Sequence, residues 1–338
     1  MKKLRAAVIG CGAIAHHCHI PGYLKNRYTE LAALVDPYEK NLKEACAKFN
    51  IERGYTSLED LFANESIDVV SVCSPNIYHA EHAIAALNHG CHVLCEKPMC
   101  MNLKEGQMIQ KAAQKHPGSI FMVAFTHRLY SGNIKARRMI EQGKIGEPYV
   151  IRIRFAHQGP MTGWAMSDWF FTPSKAGGGA MFDMGIHAMD LAQFYFGPIR
   201  KINAMMATLE KKIEMEDNAI LQFLFASGKM GYAEVGWSSK QGFAGVEIHG
   251  SEAAIINDYF EGLYLMKGES SATGKRIIRK RMIDKNPCQG GWDVEIDYFV
   301  NAIRKREQPE MGLQAGLNSM KVAMAAYESA KKGKTVTI

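Results

Sequence analysis

The stretch LRAAVIGCGAIA, residues 4–15, opens with a short apolar run and passes directly into a GxGxxA turn. The run predicts a buried first strand, and the turn predicts the start of a helix. Glycine lets the backbone bend tightly and approach a pyrophosphate, whose charge the amides at a helix N-terminus hold. Alanine at the last position of the turn permits close packing of the helix. We therefore predict a dinucleotide-binding turn formed by Gly10, Cys11, Gly12, Ala13, Ile14 and Ala15.

A second apolar run, residues 31–35, ends in Asp36, about 24 residues after Gly12. An acidic side chain at this position meets the hydroxyl groups of the adenosine ribose and repels a 2′-phosphate. The sequence therefore favours NAD over NADP as the cofactor. Lys40 and Lys43 follow within two helical turns and could soften this preference.

Strand and helix patterns alternate as far as residue 124, which predicts a doubly wound parallel sheet of the Rossmann type. Helices are expected at residues 38–49 and 58–63, and buried strands at 67–73, 92–95 and 120–124. Such sheets bind ligands at the carboxyl ends of their strands. The residues predicted to contact the cofactor there are Ser74, Pro75, Asn76, His79, Glu96 and Lys97. Taken alone, the segment EKP at 96–98 is equally typical of an exposed turn.

The length of 338 residues predicts two domains, placed at residues 1–124 and 125–338. Hydrophobic residues make up 47% and charged residues 22%, and no apolar run approaches the roughly 20 residues of a membrane helix. The start of the chain runs into glycines without the pattern of a signal peptide. We therefore expect a cytoplasmic protein without membrane contact.

Eight cysteines are scattered without paired CxxC spacing, which favours reduced core thiols over a metal site. Residues 16–19 read HHCH, but neighbouring residues on a helix point in different directions and do not easily share one ion. The net charge of +7 and the basic cluster at 275–281 come without a nucleic-acid-binding motif. We predict no metal and no nucleic-acid partner. The basic cluster is expected to lie on a solvent-exposed strand; attraction of an anionic cofactor or substrate is the less favoured alternative.

Residues 177–190 read GGGAMFDMGIHAMD. Asp183, His187 and Asp190 recur at spacings of four and three, so a helix places them on one face, whereas the other positions are apolar nearly all round. Such a helix is buried, and ionisable groups on it need a partner or a function. For this segment alone, a core histidine hydrogen-bonded to a carboxylate is favoured over catalysis.

The second half of the chain predicts a different architecture. Antiparallel strands, the third and fourth joined as a hairpin, are expected at 149–156, 201–209, 217–226 and 229–237, and further strands continue to about residue 282. Helices follow at 293–306 and 314–331. The fold class is therefore α/β, with an N-terminal Rossmann domain and a C-terminal α+β domain whose open-faced sheet is largely antiparallel.

Four motifs, in this order and spacing, resemble the Gfo/Idh/MocA family (glucose-fructose oxidoreductase and inositol dehydrogenase): GCGAIA, SPNIYH, CEKP and GGGAMFDMGIHAMD. The resemblance covers nearly the whole chain. It implies an active site in which the lysine of the EKP motif and the aspartate and histidine of the DxGxH motif surround the reacting carbinol. These are Lys97, Asp183 and His187, and in this context catalysis becomes the favoured role of His187.

Oxidation of an alcohol needs a group that accepts the hydroxyl proton, and an imidazole, with an ordinary pKa of roughly 6.5, does so at neutral pH. His187 is therefore predicted to be the general base. Lys97 is predicted to stabilise the developing alkoxide and orient the hydroxyl, or to relay the proton. Asp183 is predicted to orient the substrate hydroxyl or the lysine.

Further candidates for substrate binding lie around the strand at 149–156. A loop of about twenty residues follows it and holds Trp164 and Trp169, whose faces suit a polyhydroxylated ring; core packing or a subunit contact is equally expected. The resemblance adds His157 and Arg128, for which hydrogen bonds within loops are the alternative. Because family members pair through the open sheet face, we expect a homodimer or homotetramer.

The sequence thus predicts an NAD-dependent dehydrogenase that acts on a secondary alcohol of a cyclitol, sugar or sugar derivative. Two alternatives stay open: a glycosidase that uses NAD transiently to oxidise and re-reduce the sugar ring, and a non-catalytic nucleotide-binding regulator. The joint presence of Lys97, Asp183 and His187 argues against the regulator.

Overall fold

A computed structural model describes residues 2–160, 168–270 and 276–338. The chain divides into two compact units, each built from three segments. The first unit comprises Met1–Phe125, Pro160–Gly177 and Trp292–Met320. The second comprises Thr126–Gly159, Gly178–Gly291 and Lys321–Ile338.

The strands in chain order are β1 Leu4–Ile9, β2 Thr29–Val35, β3 Gly54–Tyr55, β4 Val69–Val72, β5 His92–Cys95, β6 Phe121–Val123, β7 Pro148–Ala156, β8 Ile199–Ala207, β9 Asn218–Phe225, β10 Met230–Gly236, β11 Phe243–Gly250, β12 Ala254–Asp258, β13 Gly262–Ser270, β14 Arg276–Asp284 and β15 Val336–Thr337. The α-helices are α1 Ile20–Lys25, α2 Glu39–Phe49, α3 Leu58–Asn64, α4 Asn76–Asn88, α5 Leu103–Lys115, α6 Ser131–Glu141, α7 Pro173–Ala176, α8 Ile186–Phe196, α9 Trp292–Lys305 and α10 Leu313–Lys332. None of these described helices has the length and apolar character needed to cross a membrane.

The first unit contains a parallel six-stranded sheet in the order β3-β2-β1-β4-β5-β6. The strand order changes direction between β1 and β4, the point at which doubly wound folds bind ligands. All four residues of β4 are buried, as expected for a parallel strand covered on both faces. The predicted Rossmann-type parallel sheet is confirmed.

Two segments that the sequence analysis assigned to the second domain cluster with the first unit, residues 160–177 and 292–320. Helix α9 packs against α1 so closely that a Cβ added at Gly22 would lie 2.5 Å from Cγ1 of Ile296. Near α7, the side-chain amide of Asn76 donates to the carbonyl oxygen of Ala176 at 2.8 Å. Local sequence patterns do not show which distant helix returns to which sheet, so the contiguous domain limits stay a prediction.

The second unit contains a nine-stranded sheet in the order β14-β13-β12-β11-β7-β10-β9-β8-β15. Strands β7 and β10 pair in parallel, and the other neighbours pair antiparallel. Side chains alternate along β9, where Leu221 and Phe223 are buried and Ile220 and Gln222 are exposed on the opposite face. The predicted largely antiparallel sheet with one open face is confirmed.

Helix α8 packs within the second unit against β7 and β10 and is buried nearly all round, as predicted. The turn that precedes it, Met181–Gly185, is π-helical, whereas the sequence analysis expected a regular helix through residues 183–190. Single π-helical turns occur frequently at functional sites. Apolar periodicity does not distinguish them from α-helix.

Candidate active site

The turn after β1 has the shape that a dinucleotide-binding loop needs. Gly10 has a φ of +92°, and a Cβ added there would lie 2.7 Å from backbone atoms of Cys73 and Ser74. A Cβ added at Gly12 would meet nothing within 4 Å, so this side of the backbone is open for a close approach. Helix begins at Ala13 and Ile14, and Ala15 is fully buried, as close helix–strand packing requires. These features fit a bound pyrophosphate.

Asp36 connects the glycine turn to the end of β2. Its Oδ2 accepts from the amide of Cys11 at 2.8 Å, and its Oδ1 accepts from the amide of Tyr38 at 2.9 Å. Each carboxylate oxygen keeps a second lone pair that can accept from a ribose hydroxyl. The buried negative charge suits the adenosine ribose of NAD and opposes a 2′-phosphate.

His79 connects the two loops that follow β4 and β5. Its Nδ1 is 2.7 Å from the carbonyl oxygen of Pro98, and its Nε2 is 2.7 Å from that of Ser74. Only an imidazolium can donate to both acceptors, because a neutral ring carries one N–H. Burial lowers the pKa of His79, and the two carbonyl oxygens partly offset this effect. At neutral pH the ring is therefore neutral and donates to one of the two carbonyl oxygens. It lies between the segments at 74–76 and 96–98, in which further cofactor contacts were predicted.

His82, one turn later on α4, makes folding stability depend on pH. Its Nδ1 is 2.9 Å from Oγ of Ser74, and burial, with a smaller contribution from His79, lowers its pKa from 6.5 to about 4. The unfolded chain takes up this proton below pH 6.5, whereas the folded protein takes it up only near pH 4. This contribution to stability is therefore complete above pH 6.5 and is lost as the pH falls, by up to about 2 kcal/mol at about pH 5.

Urea denaturation of the wild type and of His82→Gln between about pH 7 and pH 5 measures this contribution. Because glutamine does not titrate, the free energy of unfolding of the variant should fall less steeply over this range. If the free energy of unfolding fell equally steeply with pH in both proteins, the pKa of His82 would be the same in the folded and unfolded states.

Glu96 is buried, and its side chain binds the backbone of the adjacent Lys97. Its Oε1 is 2.9 Å from Nε2 of His19, and its Oε2 accepts from the backbone amide of Lys97 at 3.2 Å. Burial raises the pKa of Glu96, but the hydrogen bond and charge of His19 and the charge of Lys97 bring it below its ordinary value. The carboxylate is thus ionised at neutral pH and fixes the main chain directly after β5.

Among the residues that the structure describes, one group has the composition of a metal site: His19, Glu96 and Glu295, with ligand atoms within 4.8 Å of one another. Both ring nitrogens of His19 have hydrogen-bonding partners, because Nδ1 is 3.0 Å from Oγ of Ser71. The hydrogen bonds of His19 to Glu96 and Ser71 therefore account for its position in this group. The HHCH cluster does not form a shared site; for example, Nδ1 of His17 bonds to the carbonyl oxygen of Ala13.

Asp183 is held in the second unit by a tryptophan distant in sequence. The indole N–H of Trp237 donates to its Oδ2 at 3.0 Å. His157, at the end of β7, has its Nε2 4.0 Å from the same oxygen and 3.1 Å from Sδ of Met184. Its Nδ1 accepts from the amide of Gly159 at 2.8 Å, so a neutral His157 ring carries its proton on Nε2. This proton faces Oδ2 of Asp183 and Sδ of Met184. Asp183 and His157 thus form one polar cluster.

Arg128 is anchored by Asp190 on α8. Its Nε donates to Oδ2 at 2.7 Å and its Nη2 to Oδ1 at 2.6 Å, and both side chains are largely buried. A bidentate guanidinium–carboxylate pair is geometrically specific, so it fixes α8 against the 3₁₀ turn Thr126–Leu129. The sequence analysis offered substrate contact or a loop hydrogen bond for Arg128, and the structure shows this ion pair.

His187 lies at the start of α8 and is buried. The ring of His127 packs against it with centroids 4.4 Å apart. Asp183 and His187 belong to the second unit, whereas Lys97 and Asp36 belong to the first unit. His127 and Trp237 were not predicted from the sequence. His127 directly precedes the candidate Arg128, whereas nothing in the sequence connects Trp237 with Asp183.

The three glycines before the π-helical turn leave room for packing. Oε1 of Glu216 accepts from the amide of Gly179 at 2.9 Å and from the hydroxyl of Tyr327 at 2.7 Å. A Cβ added at Gly178 would collide with the Tyr327 hydroxyl, and one at Gly179 with the carbonyl oxygen of Glu216. The absence of side chains at Gly178 and Gly179 therefore permits these close contacts.

The predicted aromatic contacts divide into two cases. Trp164 lies outside the described residues. Trp169, in the 3₁₀ turn Trp169–Phe171, is half-buried and stacks on Phe170 with ring centroids 3.8 Å apart. Its role in substrate binding stays a prediction.

Comparison with known proteins identifies the class of this chain. Residues 4–125 match the family described as "Oxidoreductase family, NAD-binding Rossmann fold", in agreement with the glycine turn and Asp36. Residues 133–256 match the "GFO/IDH/MocA C-terminal domain". The chain belongs to the Gfo/Idh/MocA family of oxidoreductases, which confirms the predicted family, the oxidoreductase class and the NAD-binding domain.

Characterised relatives include D-glucoside 3-dehydrogenase of Escherichia coli (strain K12), 32% identical over 60% of this chain and 57% of the relative. Levoglucosan dehydrogenase of Pseudarthrobacter phenanthrenivorans is 27% identical over 64% of this chain and 62% of its own length. The matches thus span somewhat less than two thirds of these two relatives. Myo-inositol 2-dehydrogenase of Thermotoga maritima is 25% identical over 99% of this chain and 98% of the relative.

Solved structures show the same fold over the full length. An oxidoreductase domain protein from Kribbella flavida has a TM-score of 0.88 at 25% identity and covers 100% of both chains. A levoglucosan dehydrogenase in complex with NADH and levoglucosan has a TM-score of 0.85 at 23% identity, also with 100% of both chains covered.

Proposed function

We propose that this protein is an NAD-dependent dehydrogenase that transfers a hydride between nicotinamide and a secondary alcohol of a cyclitol, sugar or sugar derivative. The observation that carries the proposal is that the Trp237 indole fixes Asp183 in the π-helical turn directly before α8, the helix on which the buried His187 lies. Relatives named as dehydrogenases of glucosides, levoglucosan and myo-inositol support the substrate class.

In this proposal residues 1–124 bind the cofactor, and residues 125–338 bind substrate and form the oligomer. The turn Gly10 to Ala15 holds the pyrophosphate, Asp36 holds the adenosine ribose, and the segments at 74–76 and 96–97 complete the site. When bound, NAD supplies the hydride acceptor. Burial of His79 and Glu96 behind these segments keeps the strand ends rigid.

Three side chains act on the reacting hydroxyl in the proposed mechanism. His187 accepts the hydroxyl proton, because a neutral imidazole is a suitable base at neutral pH. Lys97 stabilises the negative charge that develops on oxygen as the proton leaves. Asp183, held by Trp237, accepts a hydrogen bond from the substrate and fixes its orientation. His157 extends the same polar cluster and is proposed to contact substrate.

The cofactor preference gives a direct prediction. Because Asp36 opposes a 2′-phosphate, NAD⁺ should bind more tightly than NADP⁺, and Asp36→Ser should narrow the difference by about tenfold or more. Calorimetric titration of both proteins with both nucleotides measures the ratio of the dissociation constants. A wild type that prefers NADP⁺ would contradict the assignment of Asp36.

The substrate class is tested by incubating the purified protein with NAD⁺ and a panel of inositols, aldoses and glycosides. NADH absorbance and release of sugar or aglycone are followed in the same samples. NADH together with an oxidised product supports the dehydrogenase. Cleavage of a glycoside without net NADH identifies the glycosidase alternative, and binding of NAD⁺ without any turnover identifies the regulator.

We propose that the open face of the nine-stranded sheet mediates self-association. Its outward side chains include Met205, Ile220, Met230 and Tyr232, which are 65%, 49%, 60% and 41% exposed. Apolar patches on an open sheet favour association.

The wild type should sediment as a dimer or tetramer at micromolar concentration, and Ile220→Lys should weaken association by about tenfold or more. Met108→Lys, on α5, is the matched control; a monomeric wild type would contradict the proposal.

The state of the cysteines supports a proposal about the cellular compartment. All eight cysteines are free, and burial raises the pKa of several of them, including Cys18 and Cys91 to about 12. Free cysteines are typical of proteins in a reducing compartment, and thiols that are not ionised are poorly reactive. We therefore propose a cytoplasmic location.

A further inference from the structure

A buried polar network in the second unit ends at the ring that packs against His187. At its centre lies Asn133, which is fully buried. The Nδ2 of Asn133 is 2.7 Å from the carbonyl oxygen of His127 and 2.7 Å from the hydroxyl of Tyr259. Since a backbone carbonyl only accepts, the atom of Asn133 that faces it must be the amide nitrogen. Asn133 therefore donates to the oxygen of Tyr259.

The opposite side of Asn133 supports this orientation. Its Oδ1 accepts from the hydroxyl of Tyr195 at 2.8 Å. Tyr259 thus receives a hydrogen bond and has its own proton to donate, and Nδ1 of His127 lies 3.2 Å from its oxygen. Burial raises the pKa of Tyr259 well above its ordinary value, so the hydroxyl keeps that proton.

A hydrogen bond donated by Tyr259 to Nδ1 would determine the protonation state of His127. A ring that accepts at Nδ1 is neutral and carries its proton on Nε2. Aromatic rings surround it, with centroids 4.8 Å away at Phe155, 5.1 Å at Tyr130 and 4.4 Å at His187. The adjoining Arg128 is paired with Asp190, which fixes the turn that carries His127 to the helix that carries His187.

We infer that Tyr259 and His127 are positioning residues for His187: Tyr259 holds His127 in its neutral, Nε2-protonated form, and this ring packs against His187 and orients it to accept the substrate proton. The role in proton transfer rests on the proposed function of His187. His187 becomes a cation when it accepts the proton. A neutral neighbour tolerates that charge, whereas a protonated His127 would repel it.

The pair is tested first by NMR on the full-length protein labelled with ¹⁵N-histidine, with His127→Gln used to assign the ring signals. The wild type should show Nδ1 of His127 unprotonated and Nε2 protonated at neutral pH. In Tyr259→Phe this single form should be lost. A wild-type His127 that carries its proton on Nδ1 would overturn the inference, whether or not the variant folds and whether or not any polyol is a substrate.

The second test is steady-state kinetics with the polyol identified by the substrate panel. Tyr259→Phe should lower kcat roughly tenfold, a part of what a positioned base contributes, with KM and the Kd of NAD⁺ within about twofold. Tyr195→Phe is the matched control, because it removes a hydroxyl from the same network without touching His127. The control should lower Tm but keep kcat and the His127 signals. An equal fall in kcat for both variants would reduce the network to a structural role and overturn the inference.

Discussion

Replacing His187 with glutamine is expected to lower turnover by roughly 10²- to 10⁴-fold, the usual contribution of a positioned acid or base. The affinity for NAD⁺ should stay nearly unchanged, because the glycine turn and Asp36 lie in the other unit. Glutamine keeps the polarity of the site but cannot accept a proton at neutral pH. Measuring kcat, the Kd of NAD⁺ and Tm on one preparation separates catalysis from packing.

The alternative from the sequence was a core histidine with a purely structural role. In that case the same variant would have a lower Tm and a kcat within a few-fold of the wild type, which would remove His187 from the mechanism. Lys97→Met should also lose turnover through lost stabilisation of the alkoxide. Because both residues are proposed to act on one hydroxyl, the double variant should lose far less turnover than the product of the two single effects.

Replacing Gly12 with alanine is expected to weaken NAD⁺ binding by about 100-fold while leaving the fold intact. The added Cβ would meet nothing within 4 Å in the protein and would project into the space proposed for the pyrophosphate. Loss of two hydrogen bonds to a charged group, at about 1.5 kcal/mol each, corresponds to this factor. Calorimetric titration with NAD⁺ measures the loss, and thermal unfolding without nucleotide should match the wild type.

Gly10→Ala is the contrasting variant, two residues away in the same turn. Its φ of +92° and the 2.7 Å approach to the backbone of Cys73 and Ser74 leave no room for a side chain. Left-handed backbone alone costs roughly 1–2 kcal/mol for a residue other than glycine, so Tm should fall even without nucleotide. Equal NAD⁺ affinity in Gly12→Ala and the wild type would contradict the assignment of the turn.

The fold was largely predictable because its signals are local. The apolar run at 4–9, the GxGxxA turn and the alternation of strands and helices specify a parallel sheet within short windows of sequence. The return of α9 to the first unit depends instead on contacts between residues far apart in the chain, such as Ile296 against Gly22 and the hydrogen bond from Asn26 to Asp297. Hydrophobic periodicity shows that α9 has an apolar face and does not show what that face covers.

The candidate site was predictable only in part, for the same reason. Two short motifs, EKP and DxGxH, led to the prediction of Lys97, Asp183 and His187, because each motif is local in the sequence. The groups that orient them come from other strands and helices: Trp237 holds Asp183, and Tyr259 bonds to the ring beside His187. A single sequence carries no signal for such pairs. The π-helical turn at Met181–Gly185 was missed because an amphipathic pattern does not resolve one widened turn.

The two backbone amides bound by Asp36 have a consequence for cofactor engineering. The side chain proposed to select the nucleotide also stabilises the local backbone, since its Oδ2 accepts from the amide of Cys11 in the glycine turn and its Oδ1 from the amide of Tyr38. Serine or alanine admits a phosphate but cannot bridge both amides. A redesign towards NADP therefore has to supply a positive charge for the phosphate and, separately, a new acceptor for the amide of Cys11.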